Sequence, residues 1–265
     1  MKYKKKITIP RLYSALIRRI ANIPHLLMWI FPSKFSLDNR LKLKSFKDIH
    51  KGKRCFIIAN GPSLNKTDLK LLENEIKIGM NRIYLLEKKQ GFLPDYLVVT
   101  DVKIQLKQFV DEYEAVQIKH FYNWNARNLF SRKENRYYFK ESFKVNFKND
   151  FSKIIGTGKS VTFTCLQLAY YMGFTEVYLI GKDHSYNIDG IPHTSVVSNG
   201  EESNHFIEGY FKKGMRWDVP DYSGEEYAYK IAKRIFESDG RIIYDATIDG
   251  KLKVFIKVDY YSLFK

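Results

Sequence analysis

Apolar and polar positions along this chain form blocks that predict strands and helices in turn. The apolar and β-branched runs predict strands at Arg54–Ala59, Ile76–Met80, Asp95–Thr100, Val116–Phe121, Glu176–Ile180 and Arg241–Tyr244. Helical patterns lie between them, at about Thr67–Glu73, Lys103–Tyr113, Lys159–Met172 and Tyr222–Ser238. Several strand runs are apolar throughout, which is typical of a parallel sheet covered on both faces. The pattern therefore predicts a doubly wound α/β domain with a mostly parallel sheet.

Residues 182–221 interrupt this pattern with a stretch rich in Gly, Ser, His and Asn that shows no periodicity. Loops of that length in compact domains are usually functional or disordered, so we expect a lid loop over a site. No internal repeat and no low-complexity linker divides the rest of the chain. We therefore expect one catalytic domain, residues 46–265, after an N-terminal arm, residues 1–45.

The N-terminal arm is basic and amphipathic. Eight Lys and Arg residues precede the first acidic residue, Asp38, and supply half of the net charge of +16. Apolar residues recur with helical spacing from Leu12 to Ile20, and the apolar run at 26–31 is far shorter than the roughly 20 residues that span a bilayer. This composition predicts that residues 1–35 bind the inner face of the cytoplasmic membrane peripherally. Packing on its own domain or on a partner subunit is the alternative, which leaves a homo-oligomer open.

Composition narrows the class of protein further. A hydrophobic content of 45% excludes a disordered chain. The two cysteines, Cys55 and Cys165, lie in a predicted strand and a predicted helix, and their spacing indicates neither a disulfide framework nor a metal site. A reducing compartment, the cytoplasm, is therefore expected. The positive charge comes with no helix-turn-helix, zinc or aromatic-basic signature, so nucleic acid is not an expected partner.

Polar or glycine residues follow four of the predicted strands. Asn-Gly-Pro-Ser at 60–63 follows the first strand, Asn81 the second, Asp101 the third, and Gly-Lys-Asp-His-Ser-Tyr at 181–186 the fifth. Ligands of open parallel sheets bind beyond the carboxyl ends of the strands, so these residues predict one shared site. A glycine turn before a helix exposes N–H groups that suit a phosphate, although a structural turn capped by Ser63 has the same sequence pattern.

A second glycine-rich turn, Gly-Thr-Gly-Lys-Ser at 156–160, opens a predicted helix. It is similar to a phosphate-binding P-loop, but Lys153 stands where that motif has its first glycine. The sequence therefore disfavours a Walker-type kinase.

Together the motifs resemble the 6-hydroxymethylpterin diphosphokinase-like (MptE-like) family. This family also supplies the central domain of motility-associated factors and is related to the family 42 sialyltransferases. The resemblance runs from about residue 50 to the end and rests on segments 60–64, 79–82, 100–101, 157–161, 178–186 and 204–206. It implies a Rossmann-like fold of the sialyltransferase kind, with a CMP-activated nonulosonic acid over the Asn-Gly-Pro-Ser turn.

The resemblance also implies roles for individual residues. The implied nucleotide- and donor-binding residues are Asn60, Gly61, Pro62, Ser63, Asn81, Asp101, Thr157, Gly158, Lys159, Ser160, Gly181, Ser185 and Tyr186. The implied catalytic residues are His205 as general base, with His184 and Asp183 at the strand end. The sialyltransferase base lies a few residues beyond the position of His205, and His184-Ser185 replaces an expected tyrosine. These departures keep His184 open as the catalytic histidine.

General chemistry also favours a histidine base, because the imidazole pKa lies nearest to the working pH. His184, His193 and His205 lie in or beside the predicted lid, although each would also fit a solvated or hydrogen-bonded loop histidine. Asp101 and Asp183 would suit Mg²⁺ through their oxygens, or would cap helices and fix loops. The glycosyltransferase interpretation itself requires no cofactor.

The leading hypothesis is a membrane-peripheral glycosyltransferase. It would move a sialic-type acid from a nucleotide donor onto a cell-surface glycan or a lipid-linked acceptor. An ATP- and Mg²⁺-dependent 6-hydroxymethylpterin diphosphokinase and a non-catalytic nucleotide-binding protein remain as alternatives. The basic arm favours the first hypothesis, because lipid-linked acceptors lie at the membrane whereas pterins are soluble.

Overall fold

The computed structural model describes residues 9–185, 191, 192, 194–201 and 203–265. Within these residues the centre of the fold is a nine-stranded sheet whose neighbouring strands all pair in parallel. The strands in chain order are β1 (Arg54–Ile58), β2 (Ile76–Met80), β3 (Tyr96–Val99), β4 (Lys119–Asn123), β5 (Arg136–Val145), β6 (Ile154–Thr157), β7 (Glu176–Ile180), β8 (Ser195–Val197), β9 (Arg216–Asp218), β10 (Ile242–Asp245) and β11 (Ile256–Lys257). β8 and β9 form a separate antiparallel pair. The predicted α/β fold is confirmed.

The strand order places a topological switch beside β1. The order across the sheet is β11, β10, β7, β1, β2, β3, β4, β5, β6. The chain moves in one direction from β1 to β6 and then returns to the other side of β1 as β7. Ligands of doubly wound sheets bind at such a switch point, beyond the carboxyl ends of the strands. The ends of β1 and β7 therefore mark the expected site.

All six predicted strands are present, and β4 differs most because it spans Lys119–Asn123 rather than Val116–Phe121. β5, β6 and β11 of the main sheet were not predicted. β5 contains buried Arg136 and Lys140, which interrupt the apolar pattern. β6 has only four residues and runs into the glycine-rich turn.

The helices are α1 (Ile9–Ile30), α2 (Lys34–Lys44), α3 (Leu85–Gln90), α4 (Val110–Ala115), α5 (Val161–Tyr171) and α6 (Tyr222–Ser238). α5 and α6 confirm two of the predicted helices. The helix predicted at Thr67–Glu73 is wrong, because the chain forms only a short 3₁₀ turn there, Leu69–Leu72, after an earlier one at Pro62–Lys66. The Asp68 carboxylate accepts a hydrogen bond from the Lys70 N–H at 3.1 Å and caps the second turn. The helix predicted at Lys103–Tyr113 divides into a π-helical turn and α4.

The second half of the arm packs on the sheet domain. Trp29 of α1 is buried and meets Trp124 edge to face, with ring centres 5.2 Å apart. Asn39 of α2 exchanges two hydrogen bonds with the backbone of Tyr138, at 2.7 and 2.8 Å. Across the described part of the chain, we find no helix with the length and apolar character needed to cross a membrane.

The described part of residues 182–221 is packed against the domain rather than irregular throughout. It contains the β8–β9 pair and a buried aromatic group that includes Phe206 and Tyr210. The Arg82 guanidinium donates to the Tyr210 carbonyl oxygen. The Phe206 N–H donates to the carbonyl oxygen of Asn60 at 3.0 Å. These contacts attach the segment to the residues that follow β1 and β2.

Candidate functional site

A cleft of about 1120 Å³ opens at the carboxyl edge of the sheet. The predicted site residues that line it are Asn60, Gly61, Asn81, Asp101, Thr157, Lys159, Ser160, Gly181, Asp183, His184, Ser185 and His205. Pro62, Ser63 and Gly158 are not part of its lining. Tyr186 and His193 lie outside the described residues. The fold thus brings most of the predicted strand-end residues to one place.

Asp183 holds the turn after β1 against the end of β7. Its carboxylate accepts hydrogen bonds from the N–H and the hydroxyl of Ser63, at 3.1 and 2.8 Å. A Cβ at Gly61 would lie 1.8 Å from the Asp183 carboxylate, so only glycine fits there. The Ser63 hydroxyl thus donates its hydrogen to Asp183, and the expected contact of Ser63 with the donor stays a prediction.

Two asparagines at strand ends line the cleft. The buried Asn60 amide donates to the Met80 carbonyl oxygen at 3.1 Å, while its Oδ1 atom has no hydrogen-bond partner among the described residues. Asn81 adopts a φ of 50°, in the left-handed region that asparagine tolerates better than most residues. A buried amide oxygen without a partner is costly, so Asn60 is suited to accept a hydrogen bond from a ligand.

The turn between β6 and α5 brings a helix N-terminus to the cleft. Lys159 lines the cleft with a φ of 64°, and the Ser160 hydroxyl lies 2.6 Å from that of Tyr229. A Cβ at Gly158 would lie 2.1 Å from the ring of Phe163. Close packing therefore requires glycine at 158, and the expected ligand contact there stays a prediction. The first N–H groups and the dipole of α5 favour an anion at this wall.

His184 is held by acidic residues of α6. Its Nε2 atom lies 3.1 Å from the Glu226 carboxylate, and its ring packs edge to face on Tyr222. Burial and then the positive charge of Lys182 lower the pKa of His184. Lys182 itself pairs with Glu225 at 2.8 Å. His184 is therefore a neutral, oriented imidazole at the cleft wall near pH 7.

His205 lines the cleft from the segment between β8 and β9. Its ring stacks on Tyr210 with the centres 3.8 Å apart and the planes 2° from parallel. Tyr210 is itself fixed, because its hydroxyl accepts a hydrogen bond from the Arg82 N–H at 3.2 Å. The stacking therefore fixes the plane of the His205 ring at the cleft.

Glu141 of β5 is a cleft residue that sequence analysis missed. Its carboxylate accepts a hydrogen bond from the Thr164 hydroxyl at 2.8 Å, and the Asn123 amide lies 3.4 Å away. Burial raises the pKa of Glu141 to about 7, and the nearby charge of Asp101 adds to the rise. A charged residue in a sequence usually indicates a solvent-exposed position. The burial of Glu141 therefore becomes evident only once β5 is recognised as a strand.

The aspartates at the strand ends serve the fold as caps. Asp101 accepts a hydrogen bond from the Ile104 N–H at 2.7 Å, and Asp183 binds Ser63. Among the described residues, no three His, Cys, Asp or Glu side chains are grouped so as to hold a metal ion.

Helix α1 supplies a further wall of the cleft through Arg18 and Asn22. The Asn22 amide oxygen accepts hydrogen bonds from Lys140 at 2.6 Å and from Asn125 at 3.1 Å. Sequence analysis did not predict this wall, because the contacts join residues about a hundred positions apart.

The model of the family described as 6-hydroxymethylpterin diphosphokinase MptE-like matches residues 36–189, more than half of the chain. The chain belongs to the MptE-like family. The matched region of this MptE-like chain begins within α2 and includes β1 to β7. Helix α1 and the residues after 189 lie outside it.

The MptE-like chain also has the fold of a known glycosyltransferase. MAf glycosyltransferase from Magnetospirillum magneticum AMB-1 aligns with a TM-score of 0.51 and 15% identity over 84% of this chain. The alignment covers only 38% of the MAf chain. A mammalian sialyltransferase in complex with Gal-beta-1-3GalNAc-ortho-nitrophenol aligns with a TM-score of 0.40 and 13% identity, over 87% of this chain and 86% of that chain. No curated protein sequence matches the chain significantly.

Proposed function

We propose that this chain is a glycosyltransferase that moves a sialic-type nonulosonic acid from a CMP-activated donor onto a cell-surface glycan or its lipid-linked precursor. One observation carries the proposal: a single cleft at the topological switch point joins a helix N-terminus suited to phosphate with a stacked histidine, His205. Its volume of about 1120 Å³ leaves room for a donor and an acceptor together.

The donor would lie between the turn after β1 and the start of α5. Asn60 offers its unpartnered amide oxygen to the nucleotide, and the α5 N-terminus attracts the phosphate. The acceptor oxygen attacks the anomeric carbon of the sugar and the bond from that carbon to the phosphate oxygen breaks. CMP leaves with the bonding electron pair, and His205 takes the acceptor proton. His184 holds the polar residues at the end of β7 in position.

The polarity of α1 supports a peripheral position on the inner face of the cytoplasmic membrane. Its polar residues Arg18, Asn22 and His25 face the domain, whereas Leu16 and Ile20 are 54% and 55% exposed. A helix on a water-soluble domain normally buries its apolar stripe and exposes its polar one. The inverted arrangement, together with the basic residues of the arm, suits an anionic lipid surface.

A second candidate function is the ATP- and Mg²⁺-dependent diphosphokinase for which the family is named. The family match favours this function directly. Against it stand the capped aspartates at the strand ends and the incomplete P-loop. A non-catalytic nucleotide-binding protein is the third candidate and predicts binding without turnover.

The test is a thermal-shift measurement with CMP, CDP and ATP with Mg²⁺. We expect CMP or CDP at a hundred times its Kd to stabilise the protein by about 2.7 kcal/mol. Asn60→Ala should reduce this shift, while Asn65→Ala should keep it, because Asn65 is exposed and bonds to Lys89 outside the cleft. A shift with ATP and Mg²⁺ and none with cytidine nucleotides would favour the diphosphokinase.

A further inference from the structure

We propose that the part of the cleft between α1 and the carboxyl ends of β3 to β5 binds the phosphate group of a membrane-bound lipid acceptor, with Arg18 as the contacting cation. The inference rests on the proposed glycosyltransferase function and adds the chemical class of its acceptor, a glycan or sugar carried on a lipid phosphate. Arg18 lies outside the region matched by the family model, which begins at residue 36.

Polar contacts fix α1 as a wall of the cleft. Asn22 binds Lys140 at 2.6 Å, and the Arg127 guanidinium lies 2.7 Å from the Nδ1 atom of His25. Lys140 is almost fully buried, so its bond to Asn22 lies inside the domain rather than at its surface. Arg18 lies one helical turn before Asn22, on the same face of α1, and lines the cleft with it.

The charges at this end of the cleft favour an anionic group at its rim. Across the described residues, no carboxylate pairs with Arg18 or with Lys103, and both line the cleft. By contrast, Lys182 at the other end pairs with Glu225 at 2.8 Å. An arginine without a carboxylate partner, at the edge of a cleft, is well suited to bind phosphate through its fork of N–H donors.

Two acidic residues of this end, Asp101 and Glu141, are already hydrogen-bonded, whereas Asp218 of β9 also lines the cleft, is exposed and lies near Asp101. Asp101 accepts the N–H of Ile104 at 2.7 Å, and Glu141 accepts the hydroxyl of Thr164 at 2.8 Å. Burial raises the pKa of Glu141 to about 7, so about half of its carboxyl groups remain uncharged at neutral pH. A phosphate at the exposed Arg18 therefore meets less repulsion from the cleft floor than the count of carboxylates suggests.

The opposite face of α1 links this subsite to a lipid surface. Leu16, Ile20 and Ile23 are about half exposed on that face, while Arg18 and Asn22 face the cleft. An α-helix with its side chains is about 10–12 Å across, and an interfacial helix lies about 5–10 Å into the headgroup boundary. A phosphate attached to a lipid therefore reaches Arg18 without the lipid chains leaving the membrane.

The test compares two charge-matched variants of the full chain, Arg18→Gln and Arg19→Gln. Arg19 is next to Arg18 on α1 but does not line the cleft, and it lies over Phe143 at 5.8 Å. Binding is measured by co-sedimentation with phosphatidylcholine vesicles that contain either polyprenyl phosphate or phosphatidylglycerol, at equal surface charge. The second vesicle separates recognition of the lipid acceptor phosphate from general attraction to headgroups.

We expect the wild type to bind the polyprenyl phosphate vesicles about tenfold more tightly than the phosphatidylglycerol vesicles. Arg18→Gln should remove this preference, and Arg19→Gln should keep it, while both variants lose similar affinity for phosphatidylglycerol. Equal effects of the two variants, or no preference in the wild type, would overturn the subsite. The CMP thermal shift is measured on the same samples, and its absence in the wild type would count against the glycosyltransferase function instead.

Discussion

Ser63 and Asp183 join the two strand ends at the switch point of the sheet. They are 120 positions apart in the chain, yet the N–H and the hydroxyl of Ser63 both donate hydrogen bonds to the Asp183 carboxylate. The turn after β1 and the end of β7 therefore behave as one unit, and Gly61 is required because the carboxylate fills the space of a Cβ.

Replacing Asp183 with Asn should weaken this unit. The amide cannot accept both bonds with the strength of a carboxylate, so we expect a loss of about 1.5–3 kcal/mol in the free energy of unfolding, and weaker nucleotide binding. Denaturant titration and the CMP thermal shift measure the two effects. The control is Asp249→Asn, which removes an exposed pair with Lys66 and should cost at most about 1 kcal/mol. Equal losses in the two variants would contradict the role of Asp183.

Substitutions of the two cleft histidines, His205 and His184, should have different kinetic effects. His205→Ala should lower kcat by roughly 10²–10⁴-fold with nucleotide affinity nearly unchanged, as expected for a general base. His184→Ala should weaken donor binding and lower stability as well, because its side chain is 6% exposed and bonds to Glu226. Steady-state kinetics with both variants measure the difference. Near-normal turnover in His205→Ala with a collapse in His184→Ala would reverse the assignments.

The sequence predicts the strands whose apolar runs are continuous and the polar residues that follow them. β1, β3 and β7 are of this kind, so the sequence predicts Asn60, Asp101 and Asp183 as residues that follow strands. β5 was missed because a strand with buried Lys140 departs from the apolar pattern, and Glu141 was missed with it.

The remaining parts of the site depend on tertiary contacts that no local pattern encodes. Arg18 reaches the cleft because α1 packs on residues near 125 and 140. The hydrogen bond of Ser63 and the close packing of Gly158 depend on Asp183 and Phe163, which only the folded chain brings close. Hydrophobic periodicity predicts helices and strands well, but it does not predict which face of a helix lines a cleft.

Glu141 should make stability fall as the pH rises. Burial raises its pKa from 4.5 to about 7, so the folded protein keeps this proton over a range in which the unfolded chain has lost it. The stabilisation is complete below about pH 4.5 and is lost as the pH rises to about 7, a loss of up to about 3 kcal/mol. The stability of Glu141→Gln relative to wild type should therefore increase when the pH is raised from 5 to 8.

Denaturant titrations at both pH values measure this gain. Glu134→Gln is the matched control, because that side chain is 96% exposed. The groups around Glu141 are Asp101, Lys140, Thr164 and Asn123, and none of them is changed by either substitution. A difference between wild type and Glu141→Gln that does not change with pH would show that Glu141 is ionised throughout this range.

The apolar outer face of α1 should determine the affinity for membranes but contribute little to the stability of the fold. Leu16→Glu combined with Ile20→Glu should greatly reduce binding to anionic vesicles, with little change in thermal stability, because both side chains are already exposed. Trp29→Ala should instead cost about 3–5 kcal/mol of stability, because its ring is buried against Trp124. Vesicle binding that is unchanged in the double variant would assign the exposed face to a partner subunit.

The central claim is that the cleft transfers a sugar from a cytidine nucleotide, and the most direct test is CMP release. The purified chain is incubated with a CMP-activated nonulosonic acid and a glycan acceptor, with His205→Ala in parallel. We expect the wild type to release CMP and form the glycosylated product, and the variant to be slower by at least about a hundredfold. No CMP release, together with AMP formation from ATP, Mg²⁺ and 6-hydroxymethylpterin, would contradict the account and establish the diphosphokinase.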